Sequence, residues 1–435
     1  MRKNINKLVA FAIGVSVMSG SIMPVFADEN GQSTSTKVSI QTVIDAKSNS
    51  AENGVFTLND AIKEAINNSA VLSLYDKKIS YQSKFDDLNE ELDDQPSATN
   101  PKGKSDNEKD LNQDTRDINL KQLKQQRNFE EDKLIQKTTK AYNDIVINQK
   151  KIAKAQKELE IKTRDLNNTK LKNQLEMVTT IDLQTTQLNI ENLQNQKKSQ
   201  ENALKDAQDS FKVLTGKDVT KYALEQDIKY DTFKIDGSVD EYLDNVIENY
   251  LKYNEQLIKL NKDYYNDKDN KVDNPKEDNV PIPQKPDFNS YNGDYNKMLD
   301  DYSEYTQKLN IYNSQKQIYA GQLSARLSYL KAKLGTYEGE TNLNETKKKF
   351  KESLKTLYTN LLTTEDNINW LTKNIELTNK QLSNAKLKYD LGMLTKSDYD
   401  TQVLNSENLD IQLRSTIESY NTLKEQIQKP WITFS

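Results

Sequence analysis

The stretch KLKNQLEMVTTIDLQTTQLNIENL, residues 170–193, returns as KLKYDLGMLTKSDYDTQVLNSENL at residues 386–409. The offset is 216, and 13 of the 24 aligned positions are identical, among them Leu175/Leu391, Met177/Met393, Thr179/Thr395 and Asp182/Asp398. The register continues upstream without gaps, pairing Tyr142 with Tyr358 and setting Leu134, Ile145, Ile152, Leu159 and Leu166 against apolar residues. A shared bias in composition does not produce such a run, so the chain reads as an internal duplication. Each copy has one local design. A long helix runs to Leu175 or Leu391, four residues turn, and an apolar helix follows at once. Thr179 and Thr395 suit the N-cap position, with Asp182 and Asp398 three residues on as a variant capping box. Gly392 supplies a left-handed residue to end the first helix, and Gly216 closes the return helix of the first copy. The expected fold is all-α: duplicated long antiparallel helical hairpins.

Composition agrees with that geometry. The 435 residues contain 12 Gly and 8 Pro, where an average chain of this length carries roughly 30 and about 22. Few turn residues demand long elements. No Gly lies between Gly103 and Gly216, and residues 120–175 read as one helix. From Phe350 the apolar spacing alternates four and three through Leu354, Leu357, Leu361, Thr364, Ile368, Leu371, Ile375, Thr378, Leu382, Ala385 and Tyr389, a heptad seam. A hydrophobic fraction of 34%, a charged fraction of 29% and a mean hydropathy of -0.89 suit thin amphipathic helices with solvated outer faces. The sequence has no His and no Cys. Disulfides, thiolate nucleophiles, thiolate zinc sites and imidazole bases are therefore excluded. No spacing selects a carboxylate pair for catalysis, so an enzyme, a cofactor and a metal site are not expected. The net charge of -5 without a basic stripe argues against nucleic acid as a partner.

Arg2, Lys3 and Lys7 precede an apolar stretch from Leu8 to about Met23, and Val25-Phe26-Ala27 has the form of a cleavage site. Residues 1–27 read as a secretory signal peptide, and no later segment approaches the roughly 20 apolar residues of a spanning helix. Residues 28–54 read as a disordered Ser/Thr/Asn-rich leader. The first repeat covers 55–216, a connector 217–238, and the second repeat 239–435. Of the seven prolines after the signal, six fall in two polar stretches, 93–118 and 266–294. Both read as long loops, because proline lacks the N–H and clashes with the preceding turn.

Three segments carry a family resemblance. Residues 56–68, FTLNDAIKEAINN, resemble the opening motif of TolC-type outer-membrane efflux proteins. Residues 389–398, YDLGMLTKSD, resemble that family's second hairpin tip. Leu175 to Asp182 resembles the first, with Glu176 where glycine is usual. The resemblance covers about 56–430. It implies a homotrimer whose hairpins form a tapered helical tunnel, acting with a membrane-fusion adaptor and an inner transporter. On that resemblance Met177, Val178, Thr179, Thr180, Gly392, Met393, Leu394, Thr395 and Lys396 are candidate adaptor-docking residues. Asp182, Tyr389 and Asp398 are candidates for the entrance or gate. The bland readings stand beside these: Asp182 and Asp398 as caps only, Tyr389 as a seam residue, Trp370 as simple packing. Two departures weaken the match at the gate, Thr401 where the family often has a second aspartate and Leu394 where some members have arginine.

The larger departure lies in the loops. The family places membrane β-hairpins there, and a lipid-facing strand needs roughly 10 residues of alternating apolar and polar character. Residues 93–118 offer little beyond Leu111 and Ile118, and 266–294 hold Val272, Val280, Ile282, Phe288 and Tyr291 without a period of two. The expectation is a TolC-like helical body with two polar loops in place of the barrel, working outside the cytoplasmic membrane in the cell envelope. The alternative is a secreted coiled-coil structural or adhesive protein that has lost pore function.

Overall fold

The computed structural model describes residues 54–96, 103–277 and 280–434. The proposed signal peptide and all of the leader but Gly54 lie outside them. Seven α-helices occur among the described residues: α1 (Leu58–Asn68), α2 (Ala70–Asp93), α3 (Asp106–Gln174), α4 (Thr180–Thr215), α5 (Val239–Asn266), α6 (Tyr295–Asp390) and α7 (Lys396–Gln428). The only strands among them are β1 (Val55–Phe56) and β2 (Ala223–Leu224), paired in parallel with Val55 opposite Ala223. The all-α expectation holds. Gln174 and Asp390, where α3 and α6 end, stand at the same 216-residue offset as the quoted sequences.

The chain divides into two compact units, and each draws on both halves of the sequence. One comprises residues 83–121 and 251–347, the other 54–82, 122–250 and 348–434.

In the larger unit α3 and α7 run antiparallel, tied by polar contacts along their length. Asp132 pairs with Lys429 at 2.8 Å, Lys150 with Asp410 at 3.5 Å, Arg164 with Asp400 at 2.9 Å, and Asp165 accepts from Ser397 at 2.7 Å. Every position of the heptad seam on α6 is buried or half-buried, with Leu354 and Leu361 at 0% exposure. Trp370 is the exception to the packing expectation: it is 61% exposed. It lies one residue before a seam position, and at 100° per residue that turns it away from the seam.

A second apolar cluster forms where Phe56, Ala61, Tyr142, Ile145, Val146, Phe211, Val219 and Leu224 meet. Tyr142 anchors the strand pair to α3: its hydroxyl donates to the Phe56 carbonyl at 2.7 Å and accepts from the Glu225 N–H at 2.8 Å. The α4 helix ends at Gly216 in the left-handed conformation, φ 71°. The Asn68 amide donates to the carbonyls of Val213 and Leu214 at 3.0 and 3.2 Å, satisfying acceptors a helix end leaves open. The C-terminal residues are clasped by aromatic rings. Trp431 stacks on Phe129 at 4.3 Å, Phe434 on Phe350 at 4.8 Å, and the Trp431 indole N–H donates to Asp132 at 2.9 Å.

In the smaller unit the first loop is shorter than the sequence suggests, because α3 already begins at Asp106. The reason is electrostatic. Asp93, at the end of α2, pairs with Lys104 at 2.6 Å and Arg116 at 2.7 Å and accepts from Asn112 at 3.2 Å. The Ser105 hydroxyl accepts from the Glu108 N–H at 3.3 Å, and Asp106 and Glu108 suit the helix N-terminus. Burial alone would raise the Asp93 pKa, but the bonds from Lys104 and Arg116 bring it below the ordinary carboxylate value. The first turns of α3, which hold little beyond Leu111 and Ile118 that is apolar, are thus held by ionic contacts. The second loop, between α5 and α6, is tacked to α6: Arg326 bonds the Asn274 side chain at 2.9 Å and the Val272 carbonyl, and Lys316 pairs with Glu277. Among the described residues of both loop stretches there is no strand. Among the described residues no helix is long and apolar enough to cross a membrane.

Candidate functional site at the hairpin tips

Both tips belong to the larger unit, and both are built by the same hydrogen bonds. At the first, the Glu176 N–H donates to Asn173 O at 3.0 Å and the Met177 N–H to Lys172 O at 2.9 Å. At the second, the Gly392 N–H donates to Tyr389 O at 2.9 Å and the Met393 N–H to Lys388 O at 2.8 Å. This is the Schellman closure, which needs a left-handed residue after the helix. Gly392 meets that need at φ 71°, and Glu176 occupies the same conformation at φ 56°. The Asn173 side chain steadies the first turn by donating to Val178 O at 2.9 Å.

The caps expected from sequence are present. Thr179 Oγ1 accepts from the Asp182 N–H at 3.2 Å, while Asp182 Oδ2 accepts from the Thr179 N–H at 2.9 Å and its hydroxyl at 2.7 Å. Those bonds lower the Asp182 pKa, the side-chain bond from Thr179 first. Thr395 Oγ1 accepts from the Asp398 N–H at 3.1 Å and donates to Asp398 Oδ2 at 2.6 Å. Each of these aspartates is exposed and closes on its own cap threonine.

Of the candidate docking residues, Met177 is 68% exposed and Met393 72%. Thr179, Thr180, Gly392, Thr395 and Lys396 are exposed, and Val178 and Leu394 half-buried. Leu175, Ile181 and Leu391 are also exposed, which makes each tip an apolar knob on a polar protein. Tyr389 is half-buried and stacks on Tyr399 with ring centroids 5.3 Å apart. The Lys396 ammonium lies 5.5 Å from both ring centres, a cation–π arrangement.

The sequence reading missed what ties the second tip to the first hairpin. Asp400 accepts from Lys396 at 2.5 Å and from both terminal nitrogens of Arg164 at 2.9 and 3.0 Å. Burial would raise the Asp400 pKa, but these two cations bring it below the usual range. Lys396 and Asp400 stand four apart, a spacing that could have flagged them. Arg164 lies 236 residues away, and no sequence signal joins it to them. The tips present hydrogen-bonded caps, apolar side chains and paired charges. Among the described residues no group of acidic side chains is arranged to hold a metal ion.

No protein-family model matches this sequence, and neither does any curated protein sequence. Solved structures do match in shape. A structure of CusC, described in terms of folding and transmembrane channel formation, aligns over 87% of this chain and 92% of its own with a TM-score of 0.52 and 12% identity. The Campylobacter jejuni CmeC outer membrane channel aligns over 86% and 85%, with a TM-score of 0.50 and 13% identity. The Vibrio cholerae outer membrane protein VceC aligns over 86% and 96%, with a TM-score of 0.50 and 11% identity. The agreement extends over most of each chain at low residue identity, so this chain has the fold of the TolC-type outer-membrane efflux channels.

Proposed function

We propose that this chain is the helical conduit or docking component of an export assembly in the cell envelope, without catalytic activity. It acts as a homotrimer and meets a membrane-fusion adaptor, and through it an inner transporter, at the hairpin tips. The observation that carries the reading is the pair of tips: two identically closed turns, each projecting exposed Leu and Met side chains, Leu175 and Met177 at one and Leu391 and Met393 at the other. Exposed apolar residues clustered at a defined structural point mark a contact surface more often than chance. In this reading the duplication supplies two tips per chain, and the domain division is 55–216, a connector 217–238, and 239–435, after an N-terminal signal at 1–27 and a leader at 28–54.

A second feature supports self-association. Leu323, Leu327, Leu330, Leu334 and Tyr337 on α6 follow four-three spacing and are 43–57% exposed. A heptad stripe left in water is the face that a neighbouring helix covers in a coiled coil. The two loops carry no membrane strands in this reading, so closure of the ring falls to the helices alone.

The test is electron microscopy of the purified chain together with export in cells carrying Met177→Arg and Met393→Arg. Ring-shaped trimers and loss of export with normal protein levels are expected. A chain that stays monomeric at high concentration, with export untouched by both substitutions, would sink the proposal and favour the secreted structural or adhesive role.

A further inference from the structure

The larger unit contains a groove of about 680 Å³ between α3, α4, α6 and α7, lined by none of the tip residues named above. Its wall carries Trp370, one of only two tryptophans in the chain, at 61% exposure. Leu371 and Ile411 add apolar surface to the same groove, so a flat ring laid on the indole would bury apolar area there. The charged groups of the groove are Lys151, Lys154 and Glu158, two cations against one anion. Lys154 and Lys151 stand three residues apart on α3 and so share a helix face. The Lys154 ammonium is held 3.1 Å from the Asn408 side-chain oxygen, a neutral acceptor that positions the charge without cancelling it. Lys151 makes no ion pair among the described residues.

We propose that this groove binds a planar aromatic anion, its ring stacked on Trp370 and its carboxylate or sulfonate between Lys151 and Lys154. The lysines outnumber the single glutamate, so a planar cation of the same size meets a net repulsive site. The groove is an affinity site on one chain, and it stands or falls independently of the conduit reading.

Anthracene-9-carboxylate is the probe, because it absorbs where indole emits, and anthracen-9-ylmethylammonium is its cationic counterpart. In full-length protein carrying Trp431→Phe, Trp370 is the one tryptophan, and excitation at the red edge of indole absorption, where the 22 tyrosines do not absorb, makes it the sole donor. Saturable energy transfer to the anion at low ionic strength is expected, at least tenfold tighter than to the cation and weakened by salt. Equilibrium dialysis of the anion against Trp370→Ala, and against Lys151→Met with Lys154→Met, is expected to show at least tenfold weaker binding in each. If the double variant loses helix content, Lys151→Met alone serves, with a smaller but measurable loss. Equal affinity for the cation, or binding unchanged by the lysine substitutions, would overturn the proposal. So would Trp370 emission that shifts with protein concentration without probe, since a second copy of the chain would then occupy the groove.

Discussion

Removing a single oxygen, in Tyr142→Phe, tests the account of how the strand pair is held. The ring is 2% exposed and packs near Phe211 with centroids 6.3 Å apart, and phenylalanine keeps that contact. What is lost is one hydroxyl that donates to Phe56 O at 2.7 Å and accepts from the Glu225 N–H at 2.8 Å. Each bond is worth about 1 kcal/mol net, and a buried group left without a partner costs about 1–3 kcal/mol. The two orphaned groups are not stranded, however. The Glu225 N–H already lies 3.5 Å from Phe56 O, so they can draw together and recover part of the loss. The expected cost is therefore about 2 kcal/mol. That is roughly 30-fold in an opening equilibrium and about 4–8 °C in the melting of a unit of this size. Hydrogen exchange should show the Glu225 amide losing protection by about that factor, while amides near the hairpin tips keep theirs. Tyr358→Phe, at the repeat-related position, should cost under about 0.5 kcal/mol, because in the second half Tyr420 is the anchor, accepting from the Phe233 N–H at 2.6 Å. A Tyr142→Phe loss below about 0.5 kcal/mol with unchanged Glu225 protection would refute the reasoning.

The same hydroxyls make the fold sensitive to alkali. Burial pushes both Tyr142 and Tyr420 up to about 12, so the stability their neutral forms contribute is complete below about pH 10 and is lost as pH rises through 12; a tyrosinate absorbance titration run beside circular dichroism should show helix loss in that window, and full ionisation with intact helices would contradict it. At the first tip Glu176→Gly should stabilise by about 1 kcal/mol, since glycine removes the left-handed penalty, and Gly392→Ala should destabilise by about the same through strain alone, its surroundings being open; urea midpoints that move in the opposite directions would dismiss the matched-turn account. Asp93→Ala should cost about 2 kcal/mol, between an exposed pair and a buried one, and should open residues 103–116 to limited proteolysis. Because the Asp93 pKa is lowered, its contribution is present above about pH 4 and is lost as pH falls through the folded value, so wild type should come to resemble the variant there; a protease pattern indifferent to both changes would rule it out.

Much of this molecule was legible in its residues one at a time. The repeated caps Thr179 and Thr395, the turn at Gly392, the helix end at Gly216 and the buried seam from Phe350 all follow from local chemistry. Capping, left-handed turns and heptad spacing are settled by neighbours a few residues apart, so a linear reading reaches them. The start of α3 was missed because its stabilising partner, Asp93, acts through ion pairs across a turn rather than through an apolar period. Residue type suggests packing for Trp370, but it does not report which way a side chain faces one step off a seam. At the tips, the residues around Tyr389 and Lys396 were in view, but the clamp on Asp400 was not.

The sequence by itself determined a set of long helices, the two turns between α3 and α4 and between α6 and α7, and the chemical character of those tips. Only the tertiary structure decided which helices lie side by side: Arg164 beside Asp400, Asp132 beside Lys429 and Trp431, Tyr142 beneath a strand pair drawn from residues 55–56 and 223–224. Helix formation and capping are governed by contacts within about four residues. Pairing between helices more than 200 residues apart depends instead on which faces meet when the whole chain buries its apolar surface, and no short window of sequence contains that information.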